Sequence, residues 1–279
     1  MSDTIVIPVP ERLLSVYAVP TAAPPDEPVV VSESGITVDL VPVDQAPLPP
    51  PALLRAMGAG GESLARLGAA THATLVRSVS AVTFPPPGEF AAYTTATVVA
   101  AATNGLVIDT VIPRVVERPR AVDGDFRLAD WVVLPHSVEN GLLWFTSKGM
   151  GRFGLPEVQS RQVPERLTNA WGAVLTGMAQ VLLADHARAQ DEAPGRAFRE
   201  LPAEHEVSLR DIATGYNDQA RFADGPGLDT SVRFRVEYDP ATVEGADSFF
   251  TVLPPADFAG TPAHWVEHVV RRLFAAATR

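Results

Sequence analysis

Residues 71–112 read THATLVRSVS AVTFPPPGEF AAYTTATVVA AATNGLVIDT VI, and this stretch decides the fold class. Thr71–Val82 has the alternation of a half-buried strand, with Ala73, Leu75 and then Val79 on its apolar side. Pro85-Pro86-Pro87-Gly88 breaks the chain, and the residues from Glu89 to Ala102 predict a helix. Asn104-Gly105 supplies the left-handed stop of a helix C-terminus, with Gly105 expected at positive φ. Leu106–Ile112 follows as a buried strand. Strand, helix and strand in that order make a βαβ unit, whose two strands run parallel.

Upstream of this unit, proline punctuates the chain: of 26 prolines, 11 lie in the first 51 residues. PTAAPPDEP (20–28) and PVDQAPLPPP (42–51) cannot be helical and donate few ladder hydrogen bonds. Short strands are predicted between them at Leu13–Val19, Val29–Ser32 and Ile36–Val41, which makes residues 1–50 a Pro-rich β arm packed on a larger body. Ala52 to Leu67 has helical apolar spacing, but Gly58, Gly60 and Gly61 weaken its middle by about 1 kcal/mol each, so two short helices fit as well as one.

Downstream, strands are predicted at Trp131–Pro135 and Gly141–Thr146, with Asn140-Gly141 as a hairpin signal. The best helix opens at Pro164-Glu165 and runs to Arg188, repeating Leu167, Trp171, Val174, Leu175, Met178, Val181 and Leu182. Asp191 to Glu204 reads as a polar connection. Glu206–Ala213, Ser231–Tyr238 and Ser248–Leu253 read as antiparallel strands, and a closing helix spans Pro262 to Ala277. The expectation is an α+β fold: a mixed sheet with helices packed on one face, containing the βαβ unit of residues 71–112. Residues 51–190 form the body and residues 205–279 the C-terminal strands and helix, or all of it is one continuous domain.

The least ordinary stretch is Phe145-Thr-Ser-Lys148-Gly149-Met-Gly151-Arg152-Phe-Gly154-Leu-Pro-Glu157. Gly149, Gly151 and Gly154 match the spacing of a dinucleotide-binding loop, but that mechanism needs a helix opening at the third glycine. Leu155-Pro156 stands there instead, and no acidic residue lies about 20 positions on, so no nucleotide cofactor is expected. What survives is a nest of backbone N–H groups flanked by Lys148 and Arg152, suited to a carboxylate or phosphate. The competing reading is structural: the glycines permit positive φ, Met150 and Phe153 plug the core, and the charges pair with Glu157 and other acids.

The run T-S-K-G-M-G-R-F-G-L-P-E, with the Trp131 segment before it and a V-P-x-x-L helix after it, resembles a motif of an uncharacterised family from GC-rich bacteria. That family is known as a domain of unknown function. The resemblance spans roughly residues 70–185; it implies an α+β fold and carries over no activity.

Other motifs fail on context. His264-Trp-Val-Glu267-His268 fits the inverted zinc-peptidase pattern, but too few residues remain after His268 for the usual downstream acidic ligand, so no metal is expected. Glu200, Glu204, His205, Glu206 and Asp211 lack the spacing of a calcium loop and read as a solvated linker. His136-Ser137 with Glu139 suggests a nucleophile and base, yet neighbours on a strand point to opposite faces. His72 and His186 read as ordinary histidines of a strand and a helix.

Composition narrows the rest. The chain has 279 residues, 46% hydrophobic and 20% charged, which fits an ordinary globular protein. Twenty-two basic against 33 acidic residues give a net charge of −11, which argues against a phosphate-neutralising nucleic-acid binder. No cysteine is present, so there is no disulfide frame and no thiolate chemistry. The start lacks a signal-peptide pattern, and the apolar run Ala170–Ala184 falls short of a bilayer span, so a cytoplasmic bacterial protein without membrane contact is expected. Two functions remain. One is a non-catalytic binding or adaptor protein that engages a protein partner. The other is an enzyme acting on a phosphate- or carboxylate-bearing small molecule, with its anion loop at Lys148–Gly154 and a base among His136, Glu139 and Glu157. The first is the reading adopted.

Overall fold

The computed structural model describes residues 4–24, 35–118, 120, 126–218, 227–243 and 245–274. The strands are β1 (Thr4–Pro8), β2 (Leu13–Thr21), β3 (Ile36–Pro42), β4 (His72–Ser80), β5 (Ile108–Asp109), β6 (Arg114–Val115), β7 (His136–Glu139), β8 (Leu142–Thr146), β9 (Glu157–Val163), β10 (Phe198–Pro202), β11 (Glu204–Ser208), β12 (Ser231–Asp239) and β13 (Phe249–Leu253). The helices are α1 (Pro51–Ala56), α2 (Gly61–Gly68), α3 (Pro87–Thr103), α4 (Leu128–Trp131), α5 (Thr168–Glu192), α6 (Leu209–Tyr216) and α7 (Pro262–Phe274). The fold is α+β, with strands in both orientations. The chain divides into two compact units, residues 10–119 and residues 1–9 with 120–279. The stretch expected as an arm is shared between them: β1 belongs to one unit, β2 and β3 to the other.

The unit of residues 10–119 is built on a sheet of order β3-β4-β2-β5-β6. β2 is antiparallel to both β4 and β5, so β4 and β5 run parallel with α3 between them in sequence. The βαβ unit is therefore present, split by β2. Tyr17 of β2 meets Tyr93 of α3 at 5.9 Å between ring centroids, whereas the next residue, Ala18, joins Leu54 of α1 and Leu67 of α2 in a buried cluster. Alternation along β2 thus sends neighbouring residues to helices on opposite faces. Gly58 at φ +97° separates α1 from α2, the two-helix form of that segment.

Two details differ from the sequence expectation. Asn104 takes the left-handed position (φ 49°) at the end of α3, and Gly105 does not. Asparagine tolerates this region because its short polar side chain bonds locally. Glycine is needed at 105 for proximity instead: a Cβ there would sit 2.6 Å from Val19 Cγ1 and 3.2 Å from the Pro20 carbonyl oxygen. Gly105→Ala is therefore expected to destabilise this unit by about 1–3 kcal/mol through overpacking, read as a lower denaturant midpoint. An unchanged midpoint would show that Val19 swings away freely. The strand expected over Leu106–Ile112 shrinks to β5, because the Asp109 carboxylate accepts the N–H groups of Val111 and Ile112, both at 3.0 Å, and turns the chain into β6. The expected strand Val29–Ser32 lies outside the described residues.

The second unit holds a six-stranded sheet of order β11-β12-β13-β9-β8-β7, antiparallel throughout except for β13 and β9. Strands from the segments 51–190 and 205–279 thus share one sheet. β1 and β10 pair as a separate antiparallel ribbon. The helical stretch Glu165–Glu192 is, among the described residues, the one with the length and hydropathy to cross a bilayer, and half of its most apolar window is buried inside the protein. Trp171, Leu175, Met178 and Leu182 of α5 are core residues.

The hairpin strand expected at Trp131–Pro135 begins directly after that stretch, as β7 (His136–Glu139). The loop Asn140-Gly141 (φ 52° and 77°) is a two-residue turn, so the strand must abut it, with Glu139 opposite Leu142; Trp131 falls in α4. The strand expected at Glu206–Ala213 ends at Ser208. There a reciprocal cap, Asp211 N–H to Ser208 Oγ (3.3 Å) and Ser208 N–H to Asp211 Oδ2 (2.8 Å), starts α6. Two strands carry no apolar alternation in the sequence. β9 replaces it with hydrogen bonds: Gln159 accepts from Trp144 Nε1 (3.1 Å) and donates to Thr251 (2.8 Å), and Ser160 Oγ accepts from Trp171 Nε1 (3.1 Å). β10, in the supposed connection, exists because β1 pairs with it.

Candidate functional site

The glycine loop links β8 to β9 and forms a short 3₁₀ turn over Met150–Phe153. Gly149 (φ 121°) and Gly154 (φ 77°) bracket it in conformations that a side chain would strain. Met150 and Phe153 point into the core and are fully or almost fully buried. This backbone shape turns three successive N–H groups toward one point. Gly149 N–H reaches Glu157 Oε1 at 2.8 Å, Met150 N–H reaches Oε2 at 3.2 Å, and Gly151 N–H reaches Oε1 at 3.4 Å. Ser147 Oγ also donates to Glu157 Oε2, at 2.5 Å, while accepting the Val158 N–H at 2.7 Å. The nest exists as the loop pattern implies, and the anion in it is the chain's own first β9 residue.

The flanking cations are placed apart. Lys148 forms an ion pair with Asp247, both side chains being well exposed. Its backbone bonds Val133 in both directions, at 2.9 and 3.0 Å. Arg152 is buried, its guanidinium 5.7 Å from the Trp131 ring centroid, and Arg120 lies at 4.8 Å from the same ring. Phe126 meets Phe153 edge to face at 5.9 Å. Of the residues singled out in the sequence, Gly149 and Gly151 contribute amides, Gly154 supplies a turn, Lys148 reaches the segment before β13, and Arg152 stacks inside.

His136 and Glu139 lie exposed on β7, against Phe145 (4.9 Å between rings) and Arg161 (3.7 Å). Among the described residues no histidine bonds Ser147 or Lys148; the hydroxyl donates to the Glu157 carboxylate and the amine pairs with Asp247. In the closing helix, Glu267 pairs with Arg166 and His268 faces Phe258 at 6.0 Å. No three His, Asp or Glu side chains gather as a metal site among the described residues.

The stretch read as a solvated linker forms β10 and β11, with Glu200, Glu204 and Glu206 exposed to solvent on them. His205 is buried, stacked on Phe234 at 5.3 Å, and meets Asp185 Oδ2 through Nδ1 at 2.9 Å. Burial pushes the Asp185 carboxyl up, but His205 and Arg188 outweigh it and hold it below the ordinary value. The next residue, His186, is buried and pulled from 6.5 down to about 4 by that burial and by the charge of Arg199, against a pull from the Phe153 backbone. Arg199 is fixed there by its bond to the His186 carbonyl at 3.0 Å. His186 therefore belongs to the packing between α5 and Arg199 of β10, a role its place on an apolar helix did not distinguish from that of any core residue.

Compared with protein-family models, with curated proteins and with solved structures, the chain matches none of them.

Proposed function

We propose that this protein is a non-catalytic binding protein that engages a protein partner, and that its glycine loop is a structural clasp. The observation that carries this reading is the Glu157 carboxylate filling the three-amide nest. An anion-binding enzyme needs those donors turned toward its substrate. Here they hold β9 to β8, and Lys148 holds the segment entering β13. A second feature supports binding. On the ribbon's outer face, Val6 is 52% and Phe198 62% exposed, beside Ala189 of α5 and Ala193 just after it, with Glu192, Arg196 and Glu200 around them: an apolar centre with a charged rim, of the kind that protein interfaces bury.

The test is a phosphate titration followed by thermal unfolding, with sucrose as the excluded-osmolyte control. A ligand bound only by the folded protein stabilises it saturably, by RT ln(1 + [L]/Kd). Wild type and Lys148→Ala are expected to respond alike, with no saturable component beyond general exclusion. A saturable phosphate shift in wild type that vanishes in Lys148→Ala would overturn the clasp and restore the anion-binding enzyme.

A further inference from the structure

A second concavity, in the unit of residues 1–9 and 120–279, lies between β12, the loop after β13 and α7, far in sequence from the glycine loop. Its volume is about 440 Å³, within the range of small-ligand sites. One wall is apolar: Val232, Pro255 and Phe258. The other is the face of α7 that carries His268 and Arg272, four residues and so one helical turn apart. Arg233 also lines the cleft, but Asp257 takes its charge at 2.6 Å. Glu206, the remaining acid of the lining, accepts the Ser231 hydroxyl at 2.9 Å. In this acidic chain Arg161, Arg166, Arg188, Arg210, Arg233 and Arg235 each have a carboxylate partner. Among the described residues neither Arg271 nor Arg272 has a carboxylate partner, and of the two it is Arg272 that lines the cleft.

We propose that this cleft binds a small carboxylate with an apolar body, its carboxylate held by Arg272 and His268 and its body against Phe258, Val232 and Pro255. A guanidinium accepts a carboxylate in a two-bond fork, which fixes the head group. The apolar wall then gains from burying a ring or short alkyl chain. A free phosphate would meet the same cations but leave that wall wet, so affinity here requires both halves of the ligand. This site uses none of the glycine loop, and it stands or falls separately from the clasp.

The probe is 3-phenylpropionate, titrated calorimetrically into wild type, Arg272→Gln and Lys148→Ala, with 3-phenylpropanol as the uncharged comparison. Wild type and Lys148→Ala are expected to bind it saturably with equal affinity. Arg272→Gln, an exposed substitution that leaves the fold intact, is expected to bind at least about tenfold more weakly, as loss of one charge-assisted contact implies. The alcohol is expected to be weakened similarly. Absence of saturable binding to wild type, or equal affinity in Arg272→Gln, would overturn the proposal. So would equal affinity for inorganic phosphate, since the apolar wall would then contribute nothing.

Discussion

Glu157→Ala is expected to lower the melting temperature by about 10 °C. The substitution strips the partner from the N–H groups of Gly149, Met150 and Gly151 and from the Ser147 hydroxyl at once. A buried donor left unsatisfied costs about 1–3 kcal/mol, and water entering the vacated space recovers part of that, so a net loss of about 3–5 kcal/mol follows. For a unit of this size each kcal/mol moves the midpoint by about 2–4 °C. Glu157→Gln keeps one acceptor oxygen and should fall between. The variant also exposes the nest, so acetate is expected to restore part of the lost stability in Glu157→Ala, saturably, and to do nothing comparable in wild type. Calorimetry showing an unshifted midpoint in the alanine variant would remove the clasp from the list of structural supports of this fold.

Stability should also fall as the solution is acidified, with His186 responsible for a separable share. Its imidazole titrates near 6.5 when unfolded and at about 4 in the folded protein, chiefly because it is buried and secondly because Arg199 is beside it. Above pH 6.5 both states carry it neutral and it contributes no slope. Between 6.5 and 4 the unfolded chain takes up a proton that the folded chain refuses, so stability drops as pH falls. At 1.36 kcal/mol per pKa unit the whole window is worth about 3 kcal/mol. Urea midpoints at pH 7, 5.5 and 4 measure it. His186→Leu, which cannot take a proton, is expected to show a shallower decline by about that amount, and parallel curves for the two proteins would refute the assignment. Asp185 works in the same direction in both, since its depressed carboxyl pKa removes stability only at lower pH.

How much of this was legible depended on whether a segment's structure is decided by its own residues. The nest was one of two readings of the loop: glycines at 149, 151 and 154 after a strand permit converging amides, and equally a turn that only seats Met150 and Phe153 in the core. That Glu157 fills it was half readable: the competing expectation paired the loop's charges with Glu157 and other acids, and Lys148 does pair with another acid, Asp247, while the Glu157 carboxylate meets amides. No local pattern could choose Asp247, which lies 99 residues away. The start of α6 was a different case. Ser208 and Asp211 form a three-residue capping spacing visible in the sequence, and the apolar alternation of Glu206–Ala213 masked it.

The sequence by itself determined the elements whose signals are short-range: α3 between its prolines and Asn104, the 3.6-residue period of α5, the alternation of β12 and the Asn140-Gly141 turn. These follow from dihedral preference and from one apolar face, both properties of consecutive residues. Only the tertiary structure decided β9, β10 and the placement of the loop's partners. β9 is buried through side-chain hydrogen bonds supplied by Trp144, Thr251 and Trp171, so polar residues that read as loop are inside. β10 becomes a strand because β1, separated from it in sequence by the whole of the other unit, offers it a ladder. A polar group is stable in the interior when its partner arrives from elsewhere in the chain, and that partner is written nowhere near it.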